Sequence, residues 1–205
     1  MKKQSLYPVF VTLLYLAGCS SEQGKPAESK AKAPDLLTGR SAFQKMYIQA
    51  RGWAPDAKPF RLESEINKDS SGRDGKAAIW RASFASPSKG SIKPFVWSGT
   101  DSSDAPSRGI SPGTEDSYSA SNSNTKIFDV AFMRVDSDTA FEEAQKHGGD
   151  KVLAKNSNLP VFYIASWRGS ENELIWHVIY GNDRDSAKLK VAVNASTGQF
   201  LNVEK

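Results

Sequence analysis

Past residue 36 the apolar positions recur with two different periods. Within "SAFQKMYIQA", residues 41–50, Phe43, Met46, Tyr47 and Ala50 stand three or four apart and share one face of a helix. "TAFEEA", residues 139–144, does the same with Ala140, Phe141 and Ala144. Each stretch opens on a hydroxyl residue, Ser41 or Thr139, followed three positions later by Gln44 or Glu142, which is the pattern of a capping box. The first helix is expected to end near Gly52, and the second, shorter one at Gly148 and Gly149.

After each helix the period drops to two, and four strands are expected in each half. In the first half they cover roughly 59–66, 76–85, 91–97 and 126–134; in the second, 159–168, 173–180, 187–194 and 199–203. Turn chemistry separates them, as in "KDSSGRDGK", "RGSEN" and "GNDRDS". Two strands say nearly the same thing: "KAAIWRASF" and "NELIWHVIY" set Trp80 and Trp176 96 residues apart, while the two helix stretches match at an offset of 98. Alternation places Ala78, Trp80, Ala82 and Phe84 on the helix-facing side, with Leu174, Trp176, Val178 and Tyr180 on the equivalent side. The tryptophans then read as core residues, each beneath its own helix.

The expected fold class is therefore α+β: two tandem repeats of one helix followed by a four-stranded antiparallel sheet, joined into one extended sheet with both helices on one face. The second half, from residue 135, resembles PepSY-like modules, small exported domains. The resemblance rests on a helix starting near Asp138, a strand with "IWHVIY", and "KLKVAVNASTGQF", an alternating strand, a polar turn with Thr-Gly and a last strand. The first module, 36–134, is matched through the internal repeat. The plan is also similar to that of β-lactamase inhibitory proteins, whose two repeats join their sheets. A departure from it is residues 98–124, dominated by Ser, Gly, Asp and Pro. This segment is expected to be a flexible insertion loop, the alternative being a contact loop anchored by Ile110 and Tyr118.

The N-terminus adds a location. Residues 1–19 carry Lys2 and Lys3, then a short apolar run, and end in Leu16-Ala17-Gly18-Cys19, which resembles a lipobox. Cys19 is the only cysteine, and an unpaired thiol suits an exported protein poorly unless lipid caps it. Residues 20–35 hold no large apolar side chain and read as a disordered tether, reaching about 20 to 25 Å from the anchor as a flexible coil. Ser20 follows the cysteine where an inner-membrane retention signal would carry aspartate. In a Gram-negative source the expected location is thus the outer membrane, facing the periplasm.

Charge and motifs narrow the function classes. Removing Lys2 and Lys3 with the signal takes the formal net charge from +4 to +2, which gives no electrostatic case for nucleic acid. Neither histidine is set up for catalysis by motif: His147 follows a helix, and His177 faces away from the Trp176 side of its strand with Ile175 and Ile179. The acidic turns lack calcium-loop spacing, so no metal and no cofactor is expected. A non-enzymatic role follows: a lipid-anchored envelope protein whose double module binds an exported protein partner, in keeping with the frequent association of PepSY-like domains with peptidases. The alternative is a carrier for a small ligand, lipid or peptide, with a cavity between helix and sheet lined by Phe43, Trp80 and Trp176. For the binder, the expected contact face is the side opposite the helices, presenting Arg81, His177, Lys188 and Lys190 among exposed Ile79, Ile175 and Ile179.

Overall fold

The computed structural model describes residues 32–204, so the expected signal, Cys19 and most of the tether lie outside the described residues. The chain is α+β, with few helices and a large antiparallel sheet. Strand β1 (Leu37–Thr38) leads into α1 (Gly39–Trp53), followed by β2 (Lys58–Ser64), β3 (Lys76–Ala77), β4 (Ile79–Ser86), β5 (Ser91–Ser98), β6 (Gly109–Pro112) and β7 (Asp116–Ser117). Then come α2 (Ser137–Ala144), a π turn (Gln145–Gly149) and α3 (Asp150–Lys155). Strands β8 (Val161–Arg168), β9 (Glu173–Tyr180), β10 (Leu189–Asn194) and β11 (Phe200–Glu204) close the chain.

Nine strands form one sheet in the order β11-β10-β9-β8-β2-β4-β5-β6, with β7 also on β5. The seam is the antiparallel pairing of β2 with β8, Arg61 opposite Ser166 and Glu63 opposite Ile164. Each would otherwise be a sheet edge with unpaired backbone groups, and pairing satisfies both at once. The helices lie over the same side of this sheet. Ala42, Phe43, Met46 and Ala50 of α1 and Ala140 and Ala144 of α2 share one buried cluster with Trp80, Phe84, Trp176, Val178 and Val191.

The tryptophans sit at the middle of that cluster, fully buried, their rings meeting edge to face at 6.3 Å. Each indole N–H donates at 2.9 Å to a carbonyl just ahead of a helix, Trp80 to Leu37 and Trp176 to Val135. They therefore lie beneath the helix starts and against each other, packing closer than two separate cores would. Gly39 opens α1 directly above them: a Cβ there would lie 2.6 Å from Trp176 Cη2 and 3.1 Å from Trp80 Cη2.

The expected capping boxes do not form, because both helices start earlier than Ser41 and Thr139. One carboxylate serves both helix starts instead. Asp136 caps α2, accepting from Ser137 N at 2.7 Å, and reaches across to α1, accepting from Arg40 N and from Thr38 Oγ1, each at 2.8 Å. Ser137 Oγ accepts from Gly39 N at 2.7 Å and donates to the Gly75 carbonyl at 2.5 Å. Orphan amides at both helix N-termini are thus met by side chains of the linker between the halves.

Four further expectations need correction. Residues 126–134 are not a strand: Asp129 accepts from Ala131 N at 2.8 Å and starts a 3-10 turn at Val130–Phe132, while Phe128 and Met133 plug into the core. The fourth strand on that side is β6, drawn from the segment expected to be flexible; Ile110 pairs opposite Trp97, and β5 so gains a neighbour on its outer edge. The glycines expected to end the second helix do not end it: α2 passes into the π turn, the helical path breaks there at Gly148, where φ is 108°, and the chain continues as α3. Ala78 leaves the helix side, because the strand breaks between β3 and β4, and it clusters with Ile79 and Val96 on the other face.

Candidate functional site

Alternation along each strand builds the outer face, opposite the helices. In register across the second half run Phe162, Ile179, Lys190 and Glu204 in one row, and Ile164, His177, Ala192 and Asn202 in the next. The isoleucines expected to be exposed here are not: Ile79, Ile175 and Ile179 are buried. On a central strand each side chain is flanked by two neighbours on the same face, and Phe162 and the Lys190 stem stand on either side of Ile179.

His177 is likewise buried rather than presented. A carboxylate cannot donate, so Nδ1 carries the hydrogen given to Glu204, with both carboxylate oxygens at 2.9 Å. Nε2 lies 3.2 Å from Ser166 Oγ. Burial works against the charge on Glu204, but the His177 hydrogen bond and the charges of His177, Arg184 and Lys190 outweigh it and hold the carboxyl below its ordinary value. Serine, imidazole and carboxylate in a row are the group types of a hydrolytic relay. Here Ser166 lies mid-strand, paired with Arg61 on one side and Ile175 on the other, so the amides around it belong to the sheet rather than facing a substrate oxygen. The row ties β8, β9 and β11 together.

The other candidates are dispersed. Arg81 sits on β4 with its guanidinium 2.7 Å from Glu65, and β2 and β8 separate it from β9. Three strand spacings, about 14 Å, then divide it from His177. Lys188 is exposed just ahead of β10, where its amide donates to the Tyr180 carbonyl at 2.8 Å. Lys190 is half-buried opposite Glu204. His147 stacks on Phe200 at 3.7 Å and meets Glu143 at 3.2 Å, a packing role at the π turn.

What the structure does bring together is a set of residues that alternation alone did not single out. Two cavities adjoin along the seam on the outer face. One, of about 260 Å3, is lined by Phe60, Arg61, Asn124, Lys126, Ser166 and Arg184 among others. The second, of about 440 Å3, shares Arg61 and Arg184 and runs past Glu63, Glu65, Phe162 and Ile164. Ser166 and His177 were recoverable as outward positions of one hairpin. Lys126 was not, because its segment reads as a strand, and Arg184 comes from a polar turn.

No protein family and no curated protein matches the chain. A solved structure does, at the level of fold: a protein of Clostridium difficile 630 provisionally described as a lipoprotein superposes with a TM-score of 0.53 at 11% sequence identity. The match covers 86% of this chain and 95% of that one. Nearly the whole of that protein thus follows the same plan of extended sheet and overlying helices. Among the described residues, no helix is long and apolar enough to cross a membrane, and no three His, Cys, Asp or Glu side chains converge as a metal site.

Proposed function

We propose that the chain is a lipid-anchored envelope lipoprotein whose folded part is a non-enzymatic module for binding or modulating another exported protein. The anchor rests on Leu16-Ala17-Gly18-Cys19, with Cys19 as the modified residue and the following polar segment as a tether. The shared fold with a chain provisionally described as a lipoprotein supports the same assignment. The observation that favours a binder over a carrier is the filled space beneath α1. Trp80 and Trp176 are fully buried against each other, and even a methyl group at Gly39 would collide with Trp176 and press on Trp80. The cavities that border α1 hold only about 180 and 190 Å3 and reach neither tryptophan, against about 260 and 440 Å3 along the seam on the outer face.

We further infer that the two halves are tandem copies of one PepSY-like unit. Leu37 and Val135, Gly39 and Ser137, and Phe43 and Phe141 stand 98 residues apart, and Trp80 and Trp176 stand 96 apart. Both tryptophans donate to the carbonyl two residues ahead of a helix, an equivalence of role as well as of sequence. Insertion of β6 and β7 and the break at Gly148 are where the copies diverge.

Metabolic labelling with radioactive palmitate tests the anchor: the wild-type chain is expected to take up label and fractionate with outer membrane in a Gram-negative host, and Cys19→Ser to lose both. Cys19→Ser is expected to be left unprocessed or released into a soluble fraction; palmitate uptake and membrane partitioning like the parent's in Cys19→Ser would remove the lipoprotein reading. The binding role is tested by placing a photo-crosslinking amino acid at position 184 in intact cells, with a second at the exposed Ile48 on α1 as control. One discrete adduct from position 184 is expected; equal adducts from both positions would count against a specific face.

A further inference from the structure

The row that ties β8, β9 and β11 together also opens onto the smaller seam cavity. Because His177 Nδ1 gives its hydrogen to Glu204, Nε2 is left as an acceptor, and the Ser166 hydroxyl 3.2 Å away donates to it. Ser166 is half-buried and lines the cavity of about 260 Å3, while His177 behind it is buried. A hydroxyl facing open space, a base behind it and a carboxylate behind the base is the order that a serine nucleophile needs. The same cavity is lined by Arg61, Lys126 and Arg184, and among its described lining residues there is no carboxylate. Glu63 offsets Arg61 at 2.7 Å, and the charge of Arg184 acts also on Glu204, but Lys126 Nζ meets a neutral group, the Ala120 carbonyl, at 3.0 Å.

We propose that Ser166 is a nucleophile that takes one short acyl group ending in an anion from an activated ester, and keeps it. Ser166 Oγ bonds to the acyl carbon as its proton passes to His177 Nε2. The bond from that carbon to the leaving oxygen breaks, and this oxygen departs with the electron pair and takes the proton from Nε2. Glu204 is a positioning residue: it holds the tautomer in which Nε2 is bare and stabilises the imidazolium. The far carboxylate of the acyl group lies toward Lys126. Turnover is not part of the assignment. The amides around Ser166 belong to the sheet, so no oxyanion hole forms there. An activated ester has a good leaving group and acylates without one, whereas the alkyl ester formed on Ser166 has a poor leaving group and resists water. The outcome is a stoichiometric covalent site on a module that does not turn over.

The test treats the full chain in non-ionic detergent with p-nitrophenyl acetate or with the anionic ester, p-nitrophenyl hemisuccinate, followed by intact mass and peptide mapping. A single acyl group at Ser166 is expected, with nitrophenolate release stopping once each chain carries it, and Ser166→Ala is expected to lose that adduct. The hemisuccinate should react about fivefold faster, the worth of one exposed charge pair, and Lys126→Ala should remove the preference while keeping the acetate rate. Glu204→Gln, whose amide donates to Nδ1 and moves the hydrogen to Nε2, is expected to slow both esters by about a hundredfold or more and to keep the preference. Acylation of Ser166 no faster than that of the exposed Ser107 overturns the assignment. So does an unchanged rate in a Glu204→Gln chain whose circular dichroism matches the parent's. Equal rates for the two esters overturn the anionic acyl group. Nitrophenolate release that continues past one acyl group per chain, and is lost in Ser166→Ala, overturns the trapped ester. None of these outcomes depends on the partner adduct from position 184, so this site and the binding reading fail separately.

Discussion

Replacing Asp136 by alanine is expected to loosen two helices at once. Its carboxylate accepts from Ser137 N at the start of α2 and from Arg40 N and Thr38 Oγ1 at the start of α1, all between 2.7 and 2.8 Å. Losing one N-cap costs about 1 kcal/mol, so two cost about 2. The Thr38 hydroxyl adds little, because it keeps a second acceptor in Ser41 Oγ at 2.9 Å. A loss of about 2 kcal/mol corresponds to a fall in Tm of about 4 to 8 °C for a folded unit of this size. Urea and thermal unfolding of the full chain, followed by far-ultraviolet circular dichroism, measures it. Asp136→Asn keeps an acceptor oxygen and gives up the charge, so its loss should be about 1 kcal/mol. Thr38→Ala combined with Asp136→Ala should then fall short of the sum of the single losses, since both remove the same bond. A loss no larger than one cap, together with additive single effects, would refute the shared cap.

Other outcomes follow from the same contacts. Gly39→Ala is expected to destabilise by about 1 to 3 kcal/mol through overpacking on the tryptophans, while Gly52→Ala, with open space around its Cα, should stabilise α1 by about 0.5 to 1 kcal/mol; equal effects in calorimetry would contradict the close approach at Gly39. Because the folded-state pKa of Glu204 is lowered, the unfolded chain binds its proton first on acidification. Its contribution is complete above the ordinary value of 4.5 and is lost as pH falls through the lower folded value. Glu204→Gln should flatten that part of the stability profile, and denaturant midpoints that fall with pH as steeply in the variant would rule it out. Trp80→Ala and Trp176→Ala should each cost about 3 to 5 kcal/mol and couple to one another, because the rings touch; additivity in a double-mutant cycle would argue for two separate cores.

Local periodicity was sufficient for the helix faces, the sides taken by Trp80 and Trp176, and the bounds of β9, because which way a side chain points follows from the chain's own geometry. The α+β class and the extended antiparallel sheet follow from the same pattern. What tertiary structure decided were the long-range pairings that periodicity does not encode. The outer edge of β5 took β6 from a Ser- and Gly-rich segment, since any backbone can satisfy an open ladder, whatever its side chains. Asp136 became the cap of a helix 97 residues upstream at Gly39, a contact visible only once both helix starts meet over the tryptophans. His177 went from a presented side chain to a buried one because Glu204, from the edge strand, closes over it. The cation cluster beside the seam joins β2, the 126 region and the turn after β9, brought together by the β2–β8 pairing and by the Phe128 amide donating to the Pro59 carbonyl at 2.9 Å. Sequence thus determined the face a residue takes wherever its strand runs unbroken, as it does not at Ala78, and the pairing of distant edges determined which residues meet there, because closing long loops is repaid by satisfied backbone and buried aromatic surface rather than by any local pattern.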